Sequence, residues 1–373
     1  MTDIATRWPD LDPDATVSGG AGREASEDLD GSLLCVGVEQ ETHDVKTFRL
    51  RPPAPGRHSF QPGQHLTVTV SVDGHPEQRC YTIASSPLQP DELAITVKRV
   101  PGGPVSNWLH DNLVPGDTLP VTGPAGRFTT AEHPADKYLF LSAGSGITPL
   151  MSMTRTIDAM GGPADVLFVH SARTPADIIF RSELREIATR NRGVRVVAVC
   201  EDDAPDEPWT GLRGRVTLPL LESIAPDLVS REIFTCGPPP YMEAVRSILV
   251  SAGADPTRCH EETFTFSGIP GPPIGANAHD PQPDAVRVHT VEFTRSGRTV
   301  ECDGETPILL AAARAGLTLP SSCGEGVCGT CRSTMLEGSV DMHHAGGIRP
   351  REIAQNKILL CCSTPCENLV IDA

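Results

Sequence analysis

The chain has 373 residues, with 48 Asp and Glu against 31 Lys and Arg, a formal net charge of -17 and 12 cysteines. The length exceeds one ordinary core and predicts two to four domains of about 100–200 residues each, and the charge argues against a nucleic-acid partner. No apolar run reaches the ~20 residues of a membrane span and the polar, acidic N-terminus is no export signal, so the cytoplasm is expected and the cysteines point to metal or redox use.

Residues 1–31 hold eight Asp and Glu against two Lys and Arg, with no hydrophobic period, and predict a disordered acidic tail containing Trp8. Residues 32–132 then show short β-rich runs separated by Gly, Pro and Asp turns: Leu34–Val38, Val45–Leu50, His65–Val72, Arg79–Ile83 and Leu93–Val97, closed by Leu119–Phe128. That rhythm predicts a small Greek-key β-barrel. Within it, Arg79, Cys80, Tyr81 and Thr82 end one strand, and the segment from Val97 and Lys98 through Gly103, Val105 and Ser106 leads glycines into a helix start. A helix start after glycines is an anion site, an Arg pairs bidentately with phosphate and a Tyr stacks on a planar ring, which together suit a flavin nucleotide.

Residues 136–265 change period. Buried strands are expected at Tyr138–Ala143, Val166–His170, Val194–Val199 and Glu232–Cys236, with helices at 150–160 and 182–189, the alternation of a parallel, doubly wound α/β domain. Gly144, Gly146, Ile147, Thr148 and Pro149 follow the first strand at the position that holds a pyrophosphate in such sheets, although a tight strand–helix turn needs glycines too. Cys236, Gly237 and Pro238 sit at the end of a later strand, where Cys236 reads equally as a ligand-rim residue or a buried core thiol. After the second strand come Ser171, Arg173 and, nearby, Arg181, with no acid before Asp177, which on charge alone favours the 2'-phosphate of NADPH.

A Gly/Pro stretch over 266–285 reads as a linker, a mobile tether or a passive spacer on composition alone. Residues 286–373 predict a β-grasp-like α+β unit: a hairpin turning at Ser296–Gly297, a short Ala-rich helix capped by Thr306 and Pro307 and ended by Gly316, then the cysteine loop. Cys323, Cys328, Cys331 and Cys361 stand as C-x4-C-x2-C-x29-C, the plant-type spacing of four thiolates around a [2Fe-2S] cluster. Zinc accounts for Cys328 and Cys331 but not for the other two spacings. Cys362 adjoins the fourth ligand; the gap and the apolar Ile358–Leu360 run favour Cys361.

These motifs in this order, with Glu262 and Phe264 between the last two, resemble the ferredoxin–NADP reductase superfamily, and within it the oxygenase reductases that carry a C-terminal ferredoxin. The resemblance implies FAD in the barrel, with Arg79 on its phosphates, Tyr81 against the isoalloxazine and Thr82 near its reactive nitrogen. Thr82 stands where Ser is more usual, and some relatives use FMN; the long 97–108 segment, able to hold an adenylate half, favours FAD. Thr148 and Cys236 would bracket the nicotinamide, with Glu262 and Phe264 closing the flavin's other side; Thr82, Thr148, Cys236 and Glu262 are the expected catalytic residues. The resemblance implies NADH as the donor, with NADPH the alternative. The implied acceptor is a terminal oxygenase component of Rieske type, acting on a quaternary amine such as glycine betaine or carnitine, served by a monomeric reductase. A plant-type cluster near about -400 mV and a Rieske centre at roughly -150 to +300 mV set the direction outward. The alternatives are a reductase for a phenylacetyl-CoA epoxidase or hybrid-cluster protein, and a redox-sensing protein without turnover.

Overall fold

The computed structural model describes residues 29–264, apart from 30, 53–58 and 90, and residues 288–373, apart from 318, 320–323, 325, 327, 328, 330 and 345. Most of the expected acidic tail, the Gly/Pro linker, Cys323 and Cys328 lie outside the described residues. Leu29 departs from the expected tail. It is buried, and its N–H donates to Gly123 O at 3.0 Å, because its side chain completes the barrel core.

The chain divides into two compact units, the first built by the barrel and the α/β domain together. The barrel comprises β1 (Gly31–Thr42), β2 (Val45–Arg51), β3 (His65–Val72), β4 (His75–Thr82), β5 (Leu93–Lys98), α1 (Pro104–Asn112) and β6 (Thr118–Ala125). Its six strands pair in the order β4-β3-β6-β1-β2-β5, and a bridge from Ile83 to Ile95 brings the ends of β4 and β5 together. The period-2 pattern is the cause: in β3, Leu66, Val68 and Val70 turn into the core while Thr67, Thr69 and Ser71 are more exposed.

The α/β domain follows as β7 (Lys137–Ala143), α2 (Ile147–Met160), β8 (Asp165–Ala172), α3 (Arg181–Arg190), β9 (Val194–Cys200), β10 (Leu212–Arg213), α4 (Leu218–Ile224), β11 (Glu232–Gly237), α5 (Pro239–Ser251) and β12 (Cys259–Thr263). The order is β10-β9-β8-β7-β11-β12 with every pair parallel. Helices cover both faces, so β7 and β8 are buried along nearly their whole length and read as continuous apolar runs. Winding turns one way from β7 to β10 and the other way through β11 and β12, which places the topological switch point between β7 and β11.

The barrel is fastened to this domain through α2. Ser152 Oγ donates to Ser85 O at 2.8 Å, and Arg155 reaches Ala84 O at 2.6 Å while pairing bidentately with Glu183. Val45, Ala84 and Phe128 share one apolar cluster with Ile147, Met151 and Cys236, and Phe264 packs against it.

The second unit holds β13 (Val288–Phe293), β14 (Arg298–Asp303), α6 (Ile308–Arg314), β15 (Arg332–Glu337), β16 (Val340–Met342), α7 (Pro350–Ile353), β17 (Lys357–Leu359), β18 (Ser363–Pro365) and β19 (Leu369–Asp372). Its main sheet runs β14-β13-β19-β15-β17, with β13 and β19 parallel, and packs against α6 in a β-grasp arrangement. The cap differs in one detail. Pro307 is the N-cap of α6, and the Thr306 hydroxyl instead donates to Asp303 at 2.8 Å, tightening the preceding turn.

Gly146 marks the tightest approach in the first unit: a Cβ there would meet Cys236 O at 2.3 Å and Gly237 N at 2.6 Å. Gly146→Ala is therefore expected to cost about 1–3 kcal/mol, read as a lower urea midpoint. Gly161→Ala, strained at φ 63 but opening on free space, sets the comparison at about 1 kcal/mol. Equal costs at the two positions would show that the close approach constrains nothing.

Candidate functional site

At the switch point the C-terminal ends of β7 and β11 diverge and leave a crevice. Gly144, at φ 52, turns the chain out of β7, and Ser145, Gly146 and Ile147 lead into α2, whose N-terminus stands at that crevice and whose Ile147 N–H donates to Gly144 O and Ser145 O. The Thr148 hydroxyl donates to Ser145 O at 3.0 Å, so it closes the turn and keeps its lone pairs for the crevice. Pro149 is buried in the first turn of α2, and Cys236, Gly237 and Pro238 form the facing wall.

Cross-strand register aligns Glu262, Cys236, Ser142 and His170 in one row across the face that carries α2. Burial keeps this row uncharged. It pushes the Glu262 carboxyl up to about 8 and pulls His170 down to about 3. It also raises the Cys236 thiol well above its ordinary value, with the Glu262 carboxylate adding to the effect. His170 Nδ1 lies 2.8 Å from Ser142 Oγ, while Glu262 Oε2 has no hydrogen-bond partner among the described residues. Glu262 is thus a protonated, buried acid at neutral pH, and Cys236 is a neutral thiol rather than a thiolate nucleophile.

On the barrel side, Thr82 is 3% exposed and its hydroxyl has no partner among the described residues, a buried donor left unused there. Tyr81 is half-buried against the barrel core, and burial holds its phenol in the neutral form. Arg79 lies along the rim, reaching Gln78 O at 2.6 Å and Glu77 at 3.4 Å, and Cys80 Sγ lies 3.5 Å from Thr67 Oγ1. Val97 and Val105 are core residues. The Ser106 hydroxyl bridges Val100 N at 3.2 Å and Gly103 O at 3.3 Å, while Gly103 itself is the N-cap of α1, whose first residue, Pro104, comes before the expected helix start at Ser106. Lys98 pairs with Asp44 at 3.1 Å.

Two cations expected at the nucleotide end behave differently. Arg173 is exposed after β8 and has no carboxylate partner among the described residues. Arg181 makes a bidentate pair with Glu207 at 2.5 and 2.7 Å and lies over the Trp209 ring, so its charge is already matched. The sequence names Arg181 and Arg173 together as favouring a 2'-phosphate; this pairing leaves Arg173 as the one of the two with no carboxylate partner among the described residues. Glu207 went unread because it stands in the loop after β9, far along the chain from Arg181. Ser171 Oγ is buried, with the Tyr241 hydroxyl as its neighbour.

In the second unit, Cys331 and Cys361 are buried together in the core. Cys361 Sγ accepts the Gly326 N–H at 3.3 Å, whereas Cys362 Sγ points back toward Leu359 O at 3.7 Å. The fourth position of the cysteine pattern thus faces the glycine loop through Cys361. Gly324, Gly326 and Gly329 all have φ near 70°.

Sequence comparison supplies the family. Residues 34–130 match the oxidoreductase FAD-binding domain, 140–247 the oxidoreductase NAD-binding domain and 291–366 the 2Fe-2S iron-sulfur cluster binding domain. The glycine betaine monooxygenase reductase subunit of Pseudomonas aeruginosa (strain UCBPP-PA14) is 46% identical, covering 91% of this chain and 94% of that protein. The stachydrine N-demethylase reductase subunit of Rhizobium meliloti (strain 1021) is 40% identical, covering 91% and 96%. The chain belongs to this family of oxygenase reductase subunits. The solved phthalate dioxygenase reductase shares the fold, with a TM-score of 0.55 and 24% identity over 92% of this chain and 97% of that one. The reductase is therefore an NAD(P)H-dependent oxidoreductase with FAD and a [2Fe-2S] cluster that supplies electrons to a terminal oxygenase. Among the described residues, no helix is long and apolar enough to cross a membrane.

Glu262 yields a pH test. Its folded pKa of about 8 lies above the ordinary 4.5, so between those values the folded state holds a proton that the unfolded state has lost. Stability then falls as pH rises through that window and levels off above it. Glu262→Gln is expected to flatten the decline in melting temperature from pH 5 to 8; parallel curves for the two proteins would place the carboxyl in water.

Proposed function

We propose that the reductase carries electrons from NADH to a Rieske-type oxygenase that demethylates a quaternary amine of the glycine betaine class, and that it works as a cytoplasmic monomer. The carrying observation is the end-to-end likeness to reductase subunits serving glycine betaine and stachydrine, both quaternary amines. The amine never touches this chain, so its identity rests on that likeness.

The donor set fits the cofactors of the family. When bound, FAD accepts two electrons from NADH as a hydride and releases them singly to the cluster. Gly144, Gly146, Ile147, Thr148 and Pro149 would hold the dinucleotide's phosphates at the start of α2, with Cys236, Gly237 and Pro238 as the opposite wall. The Thr82 hydroxyl would be free to donate to the flavin, with Tyr81 and Phe264 as the aromatic residues beside it. Arg79 would meet the phosphates, Cys80 would shape the strand, and the segment of Val97, Lys98, Gly103, Val105 and Ser106 would frame the adenylate half. Glu262, protonated at neutral pH and lacking an internal partner, keeps an exchangeable proton within a dry site. Cys361 and Cys331, with Cys323 and Cys328, ligate the cluster.

The direct test mixes the purified reductase with a glycine betaine Rieske oxygenase, NADH and air. Formaldehyde released in proportion to NADH consumed is expected, and NADH oxidation that never couples to demethylation would reject the assignment. Nucleotide choice has its own test. With Arg181 neutralised by Glu207, a 2'-phosphate meets only Arg173, and Ser171 and Arg173 line the ribose end. Glu207→Gln frees Arg181 and is expected to raise the NADPH to NADH ratio in kcat/KM about tenfold, the effect of ~1.4 kcal/mol. An unchanged ratio would remove Arg181 from the ribose pocket.

A further inference from the structure

The opposite, N-terminal edge of the NAD sheet carries a second constellation that electron transfer does not use. Glu232 opens β11, and His260, on β12, lies in register with Phe234 on the same sheet face. His260 Nε2 is 2.7 Å from Glu232 Oε1. His133, from the segment joining the barrel to β7, stacks on His260 with ring centroids 3.7 Å apart and planes at 26°. One ligand atom from each of the three lies within 4.8 Å of the others.

We propose that His133, Glu232 and His260 form a divalent transition-metal site of the zinc class, separate from the cluster and from the flavin crevice. The donor set supports that class. Two imidazoles and one carboxylate suit Zn2+, Ni2+ or Cu2+, whereas Ca2+ and Mg2+ take oxygen ligands. Ligand atoms around a tetrahedral ion at about 2.0–2.2 Å stand about 3.3 Å apart, so closing the triad takes small side-chain rotations. The carboxylate is already held in place. Glu232 Oε2 accepts from Arg258 Nε at 3.2 Å, and Arg258 is anchored on Ser230 O at 2.7 Å, which orients the carboxylate toward the histidines. All three residues are half-buried, leaving a route for the ion and a fourth position for water. Bound metal would tie the barrel-to-sheet connector to β11 and β12, and so stabilise the first unit without touching its redox site.

The test uses the full-length holoenzyme with its iron and flavin contents verified, because an empty cluster loop would itself take zinc. After equilibration with Zn2+ and removal of excess, one equivalent of zinc above the iron content is expected, with a melting temperature raised by several degrees and restored by EDTA. His133→Ala and the milder His133→Asn are each expected to lose that equivalent and the shift, while iron, flavin and NADH-driven cytochrome c reduction stay at their original levels. Zinc retained in both variants, or none bound by the original protein at low-micromolar free ion, overturns the proposal. If His133→Ala lowers flavin content, His133→Asn and direct competition with a zinc chelator on the original protein decide.

Discussion

The close passage of the β7–α2 turn over the end of β11 is the constraint from which the redox site follows. Because Gly146 has no side chain, the turn settles against Cys236 and Gly237, and α2 is drawn down onto the sheet at one fixed height. That height carries Ser152 and Arg155 to Ser85 and Ala84, the residues immediately beyond the flavin strand β4. One contact therefore fixes the crevice between β7 and β11 and aims the rim of the barrel at it. Gly237 has its own reason, since a Cβ there would strike the Tyr241 ring at 2.7 Å.

Above the aromatic layer of Phe140, Phe168 and Phe234, the sheet face changes character in a single step. The next row holds Glu262, Cys236, Ser142 and His170, all polar and all buried. Burial resolves the conflict by neutralising each ionisable member, the acid by keeping its proton and the imidazole by losing its own. The result is a polar yet uncharged floor beneath the crevice. Such a floor orients through hydrogen bonds without fixing a counter-ion that would compete for a passing charge, a sound base for redox chemistry that must exclude water.

Where periodicity governed, the sequence told most of the story. The alternation in β3 and the continuous apolar run of β7 follow from one buried face and two, so both elements and the fold classes they imply were legible. The strand carrying Glu262 was harder to see: Cys259–Thr263 is short, edge-placed and polar, and its order comes from pairing with β11. Helix α5 was hidden by Pro238, Pro239 and Pro240, which read as a loop but supply the first turn of a helix that needs no N–H groups there. The cysteine spacing declared its cluster because four thiolates around two irons leave few arrangements. The pairing of Arg181 with Glu207 was invisible because it joins the first residue of α3 to the loop after β9, which only the folded sheet brings together.

That last case reflects a wider property of the molecule. Lys98 is held by Asp44, Arg155 by Glu183, Arg181 by Glu207 and Arg231 by Asp165 and Asp227. In a chain with 31 basic and 48 acidic residues, both Lys98 and Arg181, expected beside the nucleotides, have their charge matched within the protein. Groups without net charge remain at the switch point, the N-terminus of α2 and the glycines that allow close approach, a setting that suits phosphate. The unmatched acids remain outside, and a negative surface steers toward a basic one. The net charge of -17 that remains after internal pairing therefore bears on association with the terminal oxygenase, through steering at long range, rather than on the fold.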